Sequence, residues 1–368
     1  MFPVLAIASV AMGGVAHAQS SVTLYGTIDT SLTYVRNADG GKNLWALGNS
    51  SAGNLSGSRW GLKGSEDLGG GLAAIFQLEN GFNPSTGGLG QGSRIFGRQA
   101  YVGLTSNQYG SLTLGRQYDP LIDLVQPITA DNYDNSFRVD NAVKYTSPVI
   151  AGLQFEAMYS LGGVAGSTGS KQSYSAGVSY ANGPLSLAGG YFYAANANPV
   201  TGNRTTWSST SDGTFDGAIN TGYQTAHSIG IARVAGQYVI GAFTVGAGYS
   251  NAQYRRDGAS VFAKNEHYNT AQGFLNYQAS AALLVGVGYS FTKSGGDTAA
   301  NYHQASVGAD YNLSKRTDVY MTAAYQHASG NTANGAGGAV PAQASIGSYG
   351  YNGTKKQALV NLGLRHRF

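Results

Sequence analysis

The chain has 368 residues, and only 11% of them are Asp, Glu, Lys or Arg, against about 25% in soluble domains. It has no cysteine, which excludes disulfides, and its net charge of +4 without a Lys/Arg block does not support nucleic-acid binding. Mean hydropathy is −0.16, and after the first eighteen residues no stretch approaches the ~20 apolar residues of a membrane helix. Low charge without long apolar runs is typical of transmembrane barrels, whose strands alternate apolar and polar residues.

Residues 1–18 differ from the rest of the chain. Phe2 to Ala16 are apolar or small, and Ala16-His17-Ala18 matches the cleavage pattern of a secretory signal peptide. No Lys or Arg precedes Arg36, so the basic start of such a peptide is missing, and we expect a start codon assigned too late. The alternative is a buried N-terminal strand. We predict a signal peptide over 1–18 and a barrel over 19–368.

Sixteen segments alternate with the period of two that a β-strand requires. They are 22–35, 57–66, 71–80, 96–105, 110–117, 138–147, 151–160, 172–181, 184–194, 226–239, 241–252, 266–278, 282–293, 301–313, 317–328 and 355–368. Seven connections are tight, such as Asn182-Gly183, and eight are long and polar, such as 37–56, 195–225 and 328–354. This pattern predicts an all-β fold, a sixteen-stranded antiparallel transmembrane barrel with short periplasmic turns and long extracellular loops.

Aromatic residues near the ends of these segments share the face of the apolar residues. Near the tight turns lie Tyr145, Tyr180, Tyr238, Tyr277, Tyr311 and Phe368, and near the long loops lie Tyr159, Tyr191, Tyr193, Tyr249, Tyr289, Phe291 and Tyr325. Two such rings indicate interfacial girdles, because amphipathic rings favour headgroup depth. The alternative is the core of a soluble sandwich, which would favour Val, Ile and Leu over Tyr at strand ends.

Basic residues fall on the opposite, polar face of several segments. A sixteen-stranded barrel is too wide for side chains to fill, so this face should line water. Arg59 and Lys63 alternate with outward apolar residues and are predicted to point into the lumen, as are Arg138 and Lys144. The direction of Arg98 stays open, because both faces of its segment carry apolar residues.

The order of short motifs resembles the trimeric general porins of Gram-negative outer membranes, in particular those of beta-proteobacteria. The matching motifs are Val22–Gly26, Ser58–Gly69, Ala74–Glu79, Arg98–Leu104, Leu112–Gln117, Arg138–Tyr145, Tyr311–Thr317 and Gly363–Phe368. Each is weak alone, but eight in order are specific. The resemblance implies a water-filled barrel in the outer membrane, a homotrimer, and a third loop folded into the lumen.

The resemblance also implies a basic wall at the constriction. Arginines at the positions of Arg59, Arg98 and Arg138 form a ladder in such porins, and Lys63 and Lys144 are expected to add to it. Arg365 is a further candidate, although a solvated or ion-paired role is an equal alternative for Lys144 and Arg365. Arginine suits this role because it stays charged and is weakly hydrated.

The third long connection, Tyr118–Phe137, should form the facing wall. It contains four carboxylates and no basic residue, namely Asp119, Asp123, Asp131 and Asp134. Inside a barrel these acids would oppose the arginines and create a transverse field, although some are expected to face solvent instead. Because fixed charges in pores select ions by sign, an excess of cations predicts a modest anion preference.

The last strand alternates from Ala358 to Phe368 and should pair with the first strand to close the barrel. Gly363, Leu364 and Phe368 resemble the C-terminal signal read by the barrel-assembly machinery. The predicted partners are therefore this machinery, outer-membrane lipid and lipopolysaccharide, two further copies of the chain, and small polar solutes and anions. We expect no nucleic acid and no cofactor, and nothing in the sequence indicates loop-bound Ca²⁺.

Passive diffusion of small hydrophilic solutes is the leading functional prediction. An outer-membrane enzyme would need an activated Ser, yet G-x-S-x-G, H-E-x-x-H and G-x-G-x-x-G are all absent from the sequence. An adhesin built on the long loops is compatible with a channel. A substrate-selective channel is the strongest rival, and would require aromatic residues such as Tyr25, Tyr118, Tyr133 and Phe137 along the lumen.

Overall fold

A computed structural model describes residues 20–48, 54–129, 138–166, 169–195, 219–346 and 353–368. The strands in these ranges are β1 (Ser20–Ala38), β2 (Lys42–Gly48), β3 (Arg59–Gly69), β4 (Leu72–Gly81), β5 (Gln99–Ser106), β6 (Gly110–Tyr118), β7 (Arg138–Thr146), β8 (Leu153–Ser160), β9 (Ser173–Asn182), β10 (Leu185–Ala195), β11 (Ser228–Ile240), β12 (Phe243–Arg255), β13 (Glu266–Gln278), β14 (Leu283–Gly295), β15 (Ala299–Asn312), β16 (Thr317–Ala333), β17 (Ala339–Pro341) and β18 (Lys356–Arg367).

Helical structure in the described ranges is confined to short turns. A π-helical turn spans Leu121–Val125, and 3₁₀ turns span Gln126–Ile128 and Thr221–Tyr223. Among the described residues, none of the helices has the length and apolar character needed to cross a membrane.

Sixteen of the described strands form a closed antiparallel ring, which confirms the predicted fold. Each wall strand pairs with its neighbours along the chain, and β1 closes the ring by pairing with β18, from Thr27↔Arg367 to Arg36↔Ala358. The other edge of β1 pairs with β3 over Ser20–Thr27. Closure leaves no free edge, as strands in a bilayer require.

Two short strands fall in regions predicted to be loops. β2 pairs with β1 beyond the end of β3, and β17 pairs with β16 at Asn331–Ala333 beyond the end of β18. Both therefore extend the wall on the long-loop side of the barrel. The prediction missed them because a three- or seven-residue strand inside a Gly-rich loop leaves little periodic signal.

The two faces of the wall differ as the alternation predicted. In β18, Leu362 and Leu364 are 62% and 50% exposed on the outer face, whereas Asn361 and Gly363 are buried on the inner face. Aromatic side chains of both predicted girdles are exposed on the outside, among them Tyr159, Tyr191, Tyr238, Tyr249, Tyr277, Tyr289, Tyr311, Tyr325 and Phe368. An apolar outer band bordered by such rings fits a bilayer.

Candidate functional site

Loop 3 (Tyr118–Phe137) turns into the barrel in its described part, residues 118–129. Leu121 and Leu124 are buried against the inner faces of β9 and β10. A Cβ on Gly190 would lie 2.8 Å from Leu121 Cδ2, and one on Gly177 would lie 3.3 Å from Leu124 Cδ1. The two glycines therefore leave the space into which the leucines pack.

Asp119 lies at the base of loop 3, and its position differs from the prediction of a pore-facing acid. The side chain is 0% exposed, and its Oδ2 accepts hydrogen bonds from Ser175 Oγ and the Leu121 amide, both at 3.3 Å. Burial raises the pKa of this loop carboxyl to about 7, partly offset by the nearby Arg233. Asp119 lies on the side of loop 3 that packs against the wall, so its carboxyl is buried. Its hydrogen bond from Ser175 helps to hold the loop against β9.

Among the described acids of loop 3, Asp123 contacts one of the cations predicted for the basic wall, Lys144. Lys144 Nζ lies 2.5 Å from Asp123 Oδ2 and also donates to the Tyr118 carbonyl at 3.2 Å. Lys144 is therefore ion-paired, the alternative considered for it from the sequence, and it ties loop 3 to β7. The other two predicted loop acids, Asp131 and Asp134, lie outside the described residues.

Three arginines meet around one tyrosine and one glutamate. Arg98 Nε donates to Glu79 Oε1 at 2.7 Å, and its terminal nitrogen donates to the Tyr118 hydroxyl at 2.5 Å. Arg59 Nε lies 3.6 Å from Glu79 Oε2. The Arg138 guanidinium lies over the Tyr118 ring, 5.0 Å from its centroid. The structure therefore brings together the three arginines of the predicted ladder.

A polar chain of side chains continues from Glu79 along the inner wall. The Tyr25 hydroxyl donates to Glu79 Oε2 at 2.9 Å, Gln77 donates to Tyr25 at 2.6 Å, and Tyr101 donates to Gln77 at 2.8 Å. Lys63 Nζ lies 5.5 Å from the Tyr25 ring centroid. Lys63 therefore lies on the same inward side as Tyr25, near the arginines that contact Glu79.

The contacts of Arg98 with Glu79 and Tyr118 place its side chain in the lumen, a direction that the sequence left open. Tyr101 points inward, because it donates to Gln77 and because Val102 and Leu104, which have the opposite parity, are exposed outside. Arg98 also reaches the lumen because it precedes the first residue of β5, Gln99, where the strand alternation begins.

Two further arginines belong to this region and were missed from the sequence. Arg116 donates to Asp140 Oδ1 at 2.6 Å, and Arg94 lies 3.5 Å from Asp140 Oδ2. Arg116 has the parity of outward residues, but β6 is irregular between Gly115 and Gln117, which breaks the alternation. Glu79 was missed as a site residue although it shares its parity with the inward Gln77.

Arg365 is separated from this group and is ion-paired. Its guanidinium lies 3.1 Å from both Asp318 and Asp310, on the inner face where β15, β16 and β18 meet. The Tyr320 ring lies over Gly363 and its hydroxyl donates to Asp29 Oδ1 at 2.5 Å. Arg365 therefore belongs to a network of polar contacts between the strands where the barrel closes, and it does not extend the basic wall.

The other residues of the proposed C-terminal signal lie on the outer face. Leu364 is 50% exposed, and Phe368 exchanges backbone hydrogen bonds with Gly26 while its ring covers that glycine. As for metals, the described residues contain no group of three or more His, Cys, Asp or Glu side chains suited to hold one.

A closed barrel with an apolar outer face, aromatic girdles and a charged lumen narrowed by a loop is a transmembrane channel. The chain belongs to the Gram-negative porin family, whose model matches residues 5–331. It is accordingly an outer-membrane channel protein rather than an enzyme.

Individual relatives agree with this assignment. The chain is 30% identical over 402 residues to an outer membrane porin protein of Bordetella pertussis, covering 96% of each chain. It is 28% identical to outer membrane porin protein 32 of Delftia acidovorans, covering 99% of each. Among solved structures it is similar to the anion-selective porin from Comamonas acidovorans, with a TM-score of 0.69 and 23% identity over 95% of this chain and 100% of that one.

Proposed function

We propose that this porin passes small hydrophilic solutes with a modest preference for anions, and that selection occurs where Arg59, Arg98 and Arg138 meet beside loop 3. The observation that supports this proposal is the charge of the arginine group. Among the described residues, Glu79 is the carboxylate that lies within ion-pairing distance of both Arg59 and Arg98. Guanidinium groups stay charged at any working pH, so an excess of them favours anions in a narrow aqueous path.

The loop 3 acids weaken this preference less than their number suggests. Asp119 is buried against β9, and Asp123 is paired with Lys144. A paired charge contributes little to the field felt by a passing ion. Lys63 adds a cation next to Tyr25, so among the described residues Arg59, Arg98 and Lys63 outnumber Glu79, the carboxylate that contacts the two arginines.

The test is the reversal potential of single channels in planar bilayers under a KCl gradient. Arg59→Ala combined with Arg138→Ala is expected to shift the reversal potential toward cation preference. The matched control is Arg36→Ala combined with Arg316→Ala, which removes two exposed guanidinium groups away from this cluster. A shift no larger than that of the control would show that the arginines do not select, and failure to conduct at all would refute diffusion itself.

A substrate-selective channel is the second candidate. It is favoured by the inward rings of Tyr25 and Tyr118, which lie under the cations Lys63, Arg98 and Arg138. Such rings would provide a stacking surface beside positive charge. Tyr133 and Phe137, the other aromatic residues considered for such a track, lie outside the described residues. Saturation of the current by one solute class, rather than a linear rise with concentration, would favour this candidate.

We also propose that the chain functions as a homotrimer in contact with lipopolysaccharide. The support is its resemblance to trimeric general porins, and a structural relative, OmpT of Vibrio cholerae, is described in a trimer form. Conductance steps in groups of three would test it.

We further propose that residues 1–18 are a signal peptide, and that Gly363, Leu364 and Phe368 direct assembly through the barrel-assembly machinery. An assembly assay with Phe368→Ala would test the second of these proposals.

A further inference from the structure

Basic side chains form a band on the outer face of the barrel, near the ends of the strands that lead into the long loops. The members of this basic band are Arg36, Arg255, His267, Lys293, His303, His327 and Lys356. Each has the parity of outward residues in its own strand, such as Leu32, Tyr249, Tyr289 and Tyr325, which are exposed. The band therefore faces away from the lumen.

Strand pairing brings the central members of the basic band to one level. His303 of β15 is paired with His327 of β16, and His327 is paired with Lys356 of β18. Side chains on one face of such pairs lie about 5 Å apart. The row lies just beyond the girdle residues Tyr289 and Tyr325 on the long-loop side. A row at this level lies at headgroup depth, and the long loops of outer-membrane barrels face the outside of the cell.

The imidazole of His303 is held in place by β14. Its Nδ1 lies 2.6 Å from the Tyr289 hydroxyl, and its ring lies 4.7 Å from that of Phe291, centroid to centroid. Because the tyrosine hydroxyl occupies Nδ1, Nε2 is the nitrogen that can meet a ligand. His267 lies over Gly295, where an added Cβ would be 3.1 Å from the imidazole Cε1.

The carboxylates of the strands that carry the basic band lie on the other face of the wall. Asp29, Glu266 and Asp318 are at most 1% exposed and point inward, and Asp310 pairs with Arg365 on the inner face. Within these described strands, the outer face therefore carries cations without a balancing acid. A cationic surface at headgroup depth attracts anionic lipid.

The basic band covers one arc of the wall, from β12 through β18 to β1. The basic residues of β3–β11 point inward or are buried, namely Arg59, Lys63, Arg116, Arg138, Lys144 and Arg233. An anionic lipid is therefore attracted to one side of the barrel. Lipopolysaccharide fits this side, because it lies in the outer leaflet and carries phosphate groups at headgroup depth. Phosphate accepts charge-assisted hydrogen bonds from lysine, arginine and protonated histidine.

We infer that the basic band binds the phosphates of lipopolysaccharide, and that His267, His303 and His327 make this binding depend on protons. The inference rests on the proposed contact with lipopolysaccharide and adds its site and its regulation. Histidine is the side chain that ordinarily changes charge between pH 5 and pH 8. Proton uptake by the three histidines adds to the four fixed cations of the band, so binding tightens as the pH falls.

The groups around the three histidines also favour this assignment. His303 faces Tyr289 and His327, and His327 also faces Lys356. His267 is paired with Gly295 of β14 and with Gln253 of β12, and Lys293 is two residues from Gly295. These neighbours are neutral or cationic, so the phosphate of the bound lipid is the anion that stabilises the protonated histidines.

The test is the affinity of the purified, folded porin for lipid A at pH 5.5 and at pH 8. The ratio of the two affinities should be at least about tenfold larger for the natural chain than for His267→Gln combined with His303→Gln and His327→Gln. The matched control is His227→Gln combined with His366→Gln, two histidines outside the basic band, which should keep the ratio of the natural chain. Equal ratios for the natural chain and the triple glutamine variant would overturn the proton dependence.

A second variant fixes the charge instead of removing it. His267→Arg combined with His303→Arg and His327→Arg should bind lipid A at pH 8 about as tightly as the natural chain does at pH 5.5. Weak binding of this variant at pH 8, or equal binding of dephosphorylated lipid A by the natural chain, would overturn the inference. Binding of lipid A that does not change with pH would leave the lipopolysaccharide contact standing and refute its regulation. No binding at either pH would refute the contact itself and the inference with it.

Discussion

The two sides of the lumen share the same strand alternation but differ in the kind of side chain that points inward. On β3–β7 the inward side chains are long and charged, and they meet each other around Glu79 and Tyr118. From β9 to β18 many inward positions are small or apolar, such as Gly177, Gly190 and Phe192, and they meet loops. Large inward apolar side chains such as Phe192 are thus buried in the cluster that the loops form with the wall.

The largest effect is expected where loop 3 packs on the wall. Gly190→Val would place its Cβ 2.7 Å from the Ala176 carbonyl and 2.8 Å from Leu121, so overpacking should lower the free energy of unfolding by about 1–3 kcal/mol and displace the loop. Gly189→Val, on the outer face of the same strand, has its nearest neighbour at 3.2 Å and is the control. Conductance should fall for Gly190→Val alone, because the added side chain pushes loop 3 off the wall toward the lumen, and equal melting temperatures for both variants would contradict the packing.

A smaller effect is expected at the ion pair that joins the two sides. Lys144→Met leaves the Asp123 carboxylate without its 2.5 Å partner, so the reversal potential should move toward cations and stability should fall by about 1 kcal/mol, since water reaches Asp123. Asp123→Asn makes the opposite change in charge. It should move the reversal potential toward anions, and a shift of the same sign in both variants would show that the pair is remote from the ion path.

A third effect, which appears only when the pH changes, concerns the docking of loop 3. The pKa of Asp119 is raised to about 7 from its ordinary value of about 4, so the folded protein holds this proton more tightly than the unfolded chain. The resulting stabilisation is complete below pH 4 and is lost as the pH rises toward 7. Asp119→Asn should therefore flatten the change in melting temperature between pH 5 and pH 8. An unchanged profile would show that the group does not titrate there.

Much of the wall was predictable from the sequence, because alternation is a local property. It placed all sixteen wall strands and their inward and outward faces. It missed Arg116, where an irregular pairing in β6 breaks the period of two, and it left the direction of Arg98 open, because that residue lies just before its strand.

What the sequence by itself determined is therefore the barrel and the side of the wall on which each strand residue lies, since both follow from a period of two and from closure in a bilayer. Only the tertiary structure decided which inward residues meet water and which meet a loop. Asp119 and Asp123 are both loop 3 acids, yet one is buried against Ser175 and the other pairs with Lys144. Such contacts join residues far apart in the chain, and no local pattern encodes them.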